Sequence, residues 1–173
     1  MNIFLIGYMA SGKSTVGKLL ARKLNFGYTD LDAYIEANEG MKVSEIFSTK
    51  GEIYFRKKET DCLKELLLRA KNQVVALGGG TPCYGTNMEL LTKGENTVTV
   101  YLKVSIPELA KRLMNEKEHR PLVSHLDAEA DMLEFVGKHI FERQQFYSKS
   151  QFIIDATGKQ AEEVVEAIVL KLF

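Results

Sequence analysis

The sequence predicts an α/β fold, a three-layer α/β/α arrangement with a five-stranded parallel sheet. Two observations predict it. Five short apolar segments, Asn2–Ile6, Tyr28–Asp30, Val74–Leu77, Val98–Leu102 and Phe152–Asp155, alternate with helical patterns, and near-continuous apolar strands belong to parallel sheets covered on both faces. The first strand also runs directly into Gly7-Tyr8-Met9-Ala10-Ser11-Gly12-Lys13-Ser14 and then a helical pattern. That is the spacing G-x-x-x-x-G-K-[ST] in its strand–loop–helix setting.

Taken in order, Lys13–Leu24 carries Val16, Leu19, Leu20 and Leu24 on one stripe, the period of an amphipathic helix. Ala33–Ala37 reads as a short helix before Gly40, and Val43–Ser48 as another with Ser44 as N-cap. Glu52–Ala70 is long and amphipathic. Ile106–Asn115 carries Pro107 in its first turn, where proline is tolerated. Met132–Tyr147 and Ala161–Leu172 complete the helices. Glu116–Asp131 is polar, lacks a strong period and reads as a mobile loop between two helices.

The chain has 173 residues and shows no repeat or linker, so one domain is expected. Composition is ordinary for a soluble globular protein, with 45% hydrophobic and 27% charged residues and a formal net charge of +0. No electrostatic footprint for nucleic acid or a membrane surface is present, and no apolar run approaches a membrane span. Cys62 and Cys83 fit neither a disulfide nor a zinc pattern. Reduced thiols in a cytoplasmic protein are expected, with Cys83 a small filler residue.

In an open parallel sheet, ligands sit at the carboxyl ends of the strands. Four ends carry suggestive residues: the glycine-rich loop, Asp30-Leu31-Asp32, Gly78-Gly79-Gly80, and Asp155-Ala156-Thr157-Gly158. The loop can turn backbone N–H groups around phosphate oxygens, helped by the helix N-terminus. Lys13 can reach the β- and γ-phosphates of a nucleotide, and the Ser14 hydroxyl can ligate Mg²⁺. One of Asp30 and Asp32 can address that metal through water while the other accepts a hydrogen bond from a hydroxyl nucleophile. Either could instead cap the following helix.

Arg56 lies beside Phe55, with Phe47 upstream and Glu59 one turn on. Apolar rings next to a guanidinium suit a small organic anion with a carbon skeleton, although Arg56 and Glu59 could also be an ordinary surface pair. Three glycines at a strand end leave bare backbone that can bind a carboxylate or hydroxyl closely. Arg120, in Arg120-Pro121-Leu122, and Arg143 can be brought over a transferring phosphoryl group by loop closure, which also excludes water.

These motifs in this order resemble the shikimate kinases, within the nucleoside monophosphate kinase-like branch of P-loop proteins. The resemblance rests on the phosphate loop through Gly17, Asp30-Leu31-Asp32, Ile46-Phe47, Gly51-Glu52 with Phe55-Arg56, Leu77-Gly78-Gly79-Gly80, Arg120-Pro121-Leu122, and Glu142-Arg143 with Tyr147. It implies strand order 2-3-1-4-5, a P-loop kinase fold, a shikimate-binding region about 32–60 and a lid about 115–131. The implied activity is Mg²⁺-dependent phosphorylation of the shikimate 3-hydroxyl by ATP, on the route to chorismate. Asp32, Arg56, Gly78, Gly79, Gly80 and Arg143 would hold shikimate, and Phe47 and Phe55 would line its ring. Asp32 would be the base. Ala10, Ser11, Gly12, Lys13, Ser14 and Thr15 would hold the phosphates, Ser14 the metal directly and Asp30 through water. Arg120 would be the lid arginine, and Arg112 with the segment after Asp155 would flank adenine. A monomer is expected.

The chain departs from the family pattern in a few places. Ala10 stands where glycine is frequent, the lid is long, Gln144-Gln145-Phe146 replaces a frequent proline, and the triple glycine replaces an acidic strand end. A gluconate kinase, a nucleoside monophosphate kinase or a non-catalytic ATP-binding sensor of a carboxylate are the competing readings. The set Asp32, Arg56, Arg120 and Arg143 favours an enzyme over the sensor.

Overall fold

The computed structural model describes residues 1–69, 71–116 and 122–173. Five parallel strands form one sheet in the order β2-β3-β1-β4-β5. They are β1 (Asn2–Ile6), β2 (Gly27–Asp30), β3 (Gln73–Ala76), β4 (Thr97–Lys103) and β5 (Phe152–Asp155). The central strand is buried along its whole length, pairing Ile3 with Val74 on one side and Val98 on the other. A strand with neighbours on both edges and helices on both faces has no polar side to show, which is why Ile3-Phe4-Leu5-Ile6 is uniformly apolar. The strand order reverses direction at β1, so the crevice at its carboxyl end lies between β3 and β4.

The helices are α1 (Lys13–Leu24), α2 (Leu31–Glu39), α3 (Val43–Arg69), α4 (Asn87–Lys93), α5 (Ile106–Glu116), α6 (Glu129–Tyr147) and α7 (Ala161–Leu172). Helix α1 packs on α7 and β3, and α5 packs on α6. The two helices expected at 43–48 and 52–70 form one element broken at Gly51, whose φ of 83° and ψ of 170° are non-helical. Gly51 supplies a left-handed φ at little steric cost. It turns the segment bearing Phe47 back on the one bearing Phe55, and the two rings meet at 4.6 Å.

Several boundaries differ from expectation. Asp30 caps α2, which therefore starts at Leu31 rather than Ala33. Ser44 lies inside α3 instead of capping it, and the Glu45 carboxylate accepts from the Lys42 N–H at 2.8 Å. Helix α4 and a 3₁₀ turn at Thr81–Cys83 were not anticipated. Two turns of helix bounded by Gly85 and Gly94 offer too few repeats for a period to register, yet Met88 and Leu91 are buried. Helix α6 begins at Glu129, a turn earlier than its apolar stripe. Within the segment read as a loop, Val123 is fully buried in the core cluster. No helix among the described residues is long and apolar enough to cross a membrane.

Candidate active site

The phosphate loop joins β1 to α1. Gly7 is required by close approach, since a Cβ there would lie 2.6 Å from Ser11 Oγ and 3.0 Å from the Leu102 carbonyl. Gly12 sits at φ 90° immediately before α1, a left-handed conformation natural to glycine. Lys13 Nζ donates to the carbonyls of Gly7 and Tyr8, each at 2.8 Å, folding the cation over the loop. Ala10 fits, but at φ 61°, a left-handed conformation that an L-residue adopts at a cost. Ala10→Gly is therefore expected to raise the unfolding free energy by about 1 kcal/mol. Urea denaturation reads this directly, and an unchanged or lower midpoint would contradict it.

Asp30 is a helix cap that also meets the phosphate loop. Its Oδ1 accepts from the Ala33 N–H at 3.2 Å as a helix cap, while its Oδ2 accepts from Ser14 Oγ at 3.3 Å. A hydroxyl paired with a carboxylate at the end of a phosphate loop is a donor set suited to Mg²⁺, which keeps several waters and shares phosphate oxygens. No group of three or more carboxylate, imidazole or thiol ligands occurs among the described residues. Arg112 Nη1 donates to the Ala10 carbonyl at 3.1 Å, and Arg112 pairs with Glu108. The other Glu108 oxygen accepts from the Gly158 N–H at 2.7 Å, so the turn after β5 and the phosphate loop are tied to the same face of α5. Lys13, Ser14, Thr15, Asp30, Asp32 and Arg112 line a cavity of about 550 Å³.

A second cavity of about 330 Å³ adjoins it, lined by Asp32, Phe47, Phe55, Arg56, Arg143 and the three glycines. Arg56 Nη1 donates to Glu59 Oε2 at 2.9 Å, and its guanidinium lies 3.9 Å from the centre of the Tyr84 ring. Glu59 is 1% exposed, which removes the surface-pair reading. Its other oxygen accepts from Thr81 Oγ1 at 2.6 Å. A buried carboxylate satisfied on both oxygens is a rigid anchor for the arginine.

The triple glycine is explained by space rather than by backbone conformation. A Cβ at Gly78 would lie 3.2 Å from both Asp32 Oδ1 and Glu59 Oε1, one at Gly79 would lie 3.3 Å from Arg143 Nη1, and one at Gly80 would lie 2.8 Å from Arg56 Nη1. Gly78 thus makes room for two carboxylates, and Gly79 and Gly80 for one guanidinium each. Gly80→Ala is expected to displace the Arg56 guanidinium and raise the KM for the acid substrate roughly tenfold, the effect of weakening one charge-assisted hydrogen bond. A wild-type KM in that variant would show that the guanidinium has slack.

Asp32 lines both cavities, as do Met9, Gly78 and Gly79. Burial pushes its carboxyl up to about 6, with the negative charges of Asp30 and Glu59 adding and Lys13 opposing. Helix α6 carries Arg143 to the second cavity, and Tyr147 one turn on donates to the Gly79 carbonyl at 2.5 Å. Arg120 lies outside the described residues. Cys83 is partly buried and burial pushes its thiol up to about 11, as suits an unreactive filler. Met9, Tyr84, Thr81 and Leu122 were missed in the sequence. Leu122 directly follows the Arg120-Pro121 pair, Met9 lies inside the phosphate-loop motif and Thr81 directly follows the three glycines, whereas nothing local marks Tyr84 as a neighbour of Arg56.

The chain as a whole is similar to proteins of one family. The sequence model of the shikimate kinase family matches residues 9–173. A shikimate kinase from Flavobacterium psychrophilum is 42% identical over 171 residues, covering 99% of this chain and 98% of that one. The crystal structure of shikimate kinase from Bacteroides thetaiotaomicron superposes with a TM-score of 0.90 at 36% identity, covering 99% of this chain and 98% of that one. Shikimate kinase from Acinetobacter baumannii, in complex with shikimate, superposes with a TM-score of 0.85 at 30% identity, covering 99% and 92%.

Proposed function

This chain belongs to the shikimate kinase family, and we propose that its two adjoining cavities transfer the γ-phosphoryl group of ATP to the 3-hydroxyl of shikimate. The observation that carries the reading is Asp32, a carboxylate shared by the phosphate-loop cavity and the arginine-flanked cavity. Arg56 and Arg143 face a space sized for a small carboxylic acid, and paired guanidinium groups fix a carboxylate in orientation as well as position. Phe47 and Phe55 offer apolar walls to a six-membered ring. The acid anchored at one end presents its hydroxyls to Asp32 at the other. Asp32 accepts the hydrogen bond of the nucleophilic hydroxyl and receives its proton as the O–P bond forms and the bond to the ADP leaving oxygen breaks. In a loose transition state this alignment carries more of the rate than early proton removal does.

Gly12, Lys13, Ser14 and Thr15 cradle the phosphates, with Ala10 and Ser11 shaping the loop. Lys13 exchanges its two loop carbonyls for phosphate oxygens. Ser14 would hold Mg²⁺ directly and Asp30 through water, and the ion would neutralise charge on the β- and γ-phosphates. Arg112 and the turn after Asp155 flank the base. Arg120 closes over the transferring group from a lid at about 115–131, while residues about 32–60 form the acid-binding region of a single domain. The same reading includes a monomeric, cytoplasmic enzyme acting on small molecules; the chain is formally neutral, and no helix among the described residues is long and apolar enough to cross a membrane.

The decisive measurement is coupled ADP release with Mg-ATP and a panel of shikimate, gluconate and nucleoside monophosphates. Release that depends on shikimate alone is expected. Turnover of gluconate without turnover of shikimate, or tight binding of both ligands without ADP release, would reverse the reading.

A further inference from the structure

Helix α6 presents Phe135, His139, Arg143 and Tyr147 at intervals of four, a spacing that puts them along one face. Three of them meet the active-site loops. His139 Nδ1 lies 2.8 Å from the Tyr8 hydroxyl, the Arg143 guanidinium lies 5.4 Å from the centre of the Tyr8 ring, and Tyr147 donates to Gly79. Tyr8 belongs to the phosphate loop and is 1% exposed, and its own carbonyl accepts from Lys13. Phe135 packs edge-on against the His139 ring with centroids 4.4 Å apart. None of this is needed to bind a phosphate. A phosphate loop uses its backbone and does not require a phenol at its second position.

We propose that Tyr8 and His139 are positioning residues for Arg143, their hydrogen bond holding the Tyr8 ring as the plate on which the guanidinium rests and fixing α6 in register with the phosphate loop. The inference rests on the reading that Arg143 receives the carboxylate of the acid. An arginine side chain has several rotatable bonds, so a carboxylate site built on one needs its guanidinium held in advance. On the Tyr8 side the aromatic face provides that hold by cation–π attraction. The ring in turn is pinned at its far end by His139. Burial pushes the Tyr8 phenol up to about 12, so it keeps its proton. Burial, with the neighbouring Arg143 charge, lowers the His139 imidazole, which is therefore neutral at physiological pH. In the Nε2-protonated tautomer, Nδ1 accepts the hydroxyl proton.

The pairing predicts that the acid's affinity, and not that of ATP, depends on two residues outside the acid's cavity. His139→Phe is expected to raise the KM for shikimate about fivefold while the KM for ATP stays within about twofold, as for the loss of one buried hydrogen bond that orients a ligand group. His139→Asn, whose Oδ1 can stand where Nδ1 stands, should restore the shikimate KM. Tyr8→Phe keeps the ring and loses the hydroxyl, and should act like His139→Phe. The double variant should be no worse than either single change, because partners in one contact are not additive. A wild-type shikimate KM in both His139→Phe and Tyr8→Phe would overturn the inference, as would parallel rises in both KM values or an Asn variant as impaired as the Phe variant. Arg143→Met serves as the control. If it raises the shikimate KM while the other two variants do not, only the positioning role fails. If it leaves that KM unchanged, the carboxylate role of Arg143 fails and the inference falls with it.

Discussion

Asp32→Asn is expected to lower kcat by roughly 10²–10⁴-fold, the range for a group that exchanges a proton or holds a nucleophile in the transition state, and to make the protein more stable at neutral pH. Asparagine keeps the shape and can still meet a hydroxyl, but it cannot take the proton or carry the charge. The stability gain follows from burial. The Asp32 carboxyl is pushed from 3.8 up to about 6 in the folded protein. The folded state therefore holds this proton more tightly than the unfolded chain does. Its favourable contribution is complete below the unfolded value and is lost as pH rises through about 6. Above that, keeping the carboxylate ionised costs about 1–3 kcal/mol, at about 1.4 kcal/mol for each unit of displacement. The amide does not carry that cost. Urea unfolding of both proteins should show the variant ahead at neutral pH and level with wild type near the low end of the titration. The wild-type kcat profile should fall on its acid limb near pH 6, and the variant's residual rate should lack that limb. Full turnover in the variant would remove Asp32 from the chemistry.

Arg56→Ala is expected to raise the shikimate KM by roughly 10- to 150-fold, equivalent to about 1.5–3 kcal/mol for a charge-assisted contact, with the ATP KM little changed. Arg56 lines only the smaller cavity, whereas the phosphate loop lines the larger one. The variant should also lose about 1–3 kcal/mol of stability, because Glu59 is left buried with one oxygen unpaired. Initial rates with each substrate varied in turn separate the two KM values. An unchanged shikimate KM would contradict the assignment, whatever the melting temperature did.

Local patterns carry much of the fold. Helices α1 and α7 are found at their expected bounds because strong apolar stripes start and stop sharply there. The strand order followed from resemblance, since adjacency of parallel strands leaves no mark in the residues of either one. Helix α4 escaped because two turns are too short for a period. Site residues split the same way. Lys13, Ser14 and Asp30 sit in a contiguous motif or next to a strand end. Tyr84 matters only through a residue brought to it from elsewhere, Arg56 on α3.

Sequence alone determined that this chain carries the phosphate-loop motif between a strand and a helix, and glycines and charged residues at the ends of other strands. Both are short-range facts, written in glycine spacing, apolar period and the placement of a few charges. Only the tertiary structure decided that Glu59 is buried beneath Arg56, that three glycines clear space for four charged groups, and that Asp32 is common to both cavities. Burial and distance depend on which distant segments pack together. A carboxylate's protonation and an arginine's orientation are consequences of that packing, and no stretch of sequence contains them by itself.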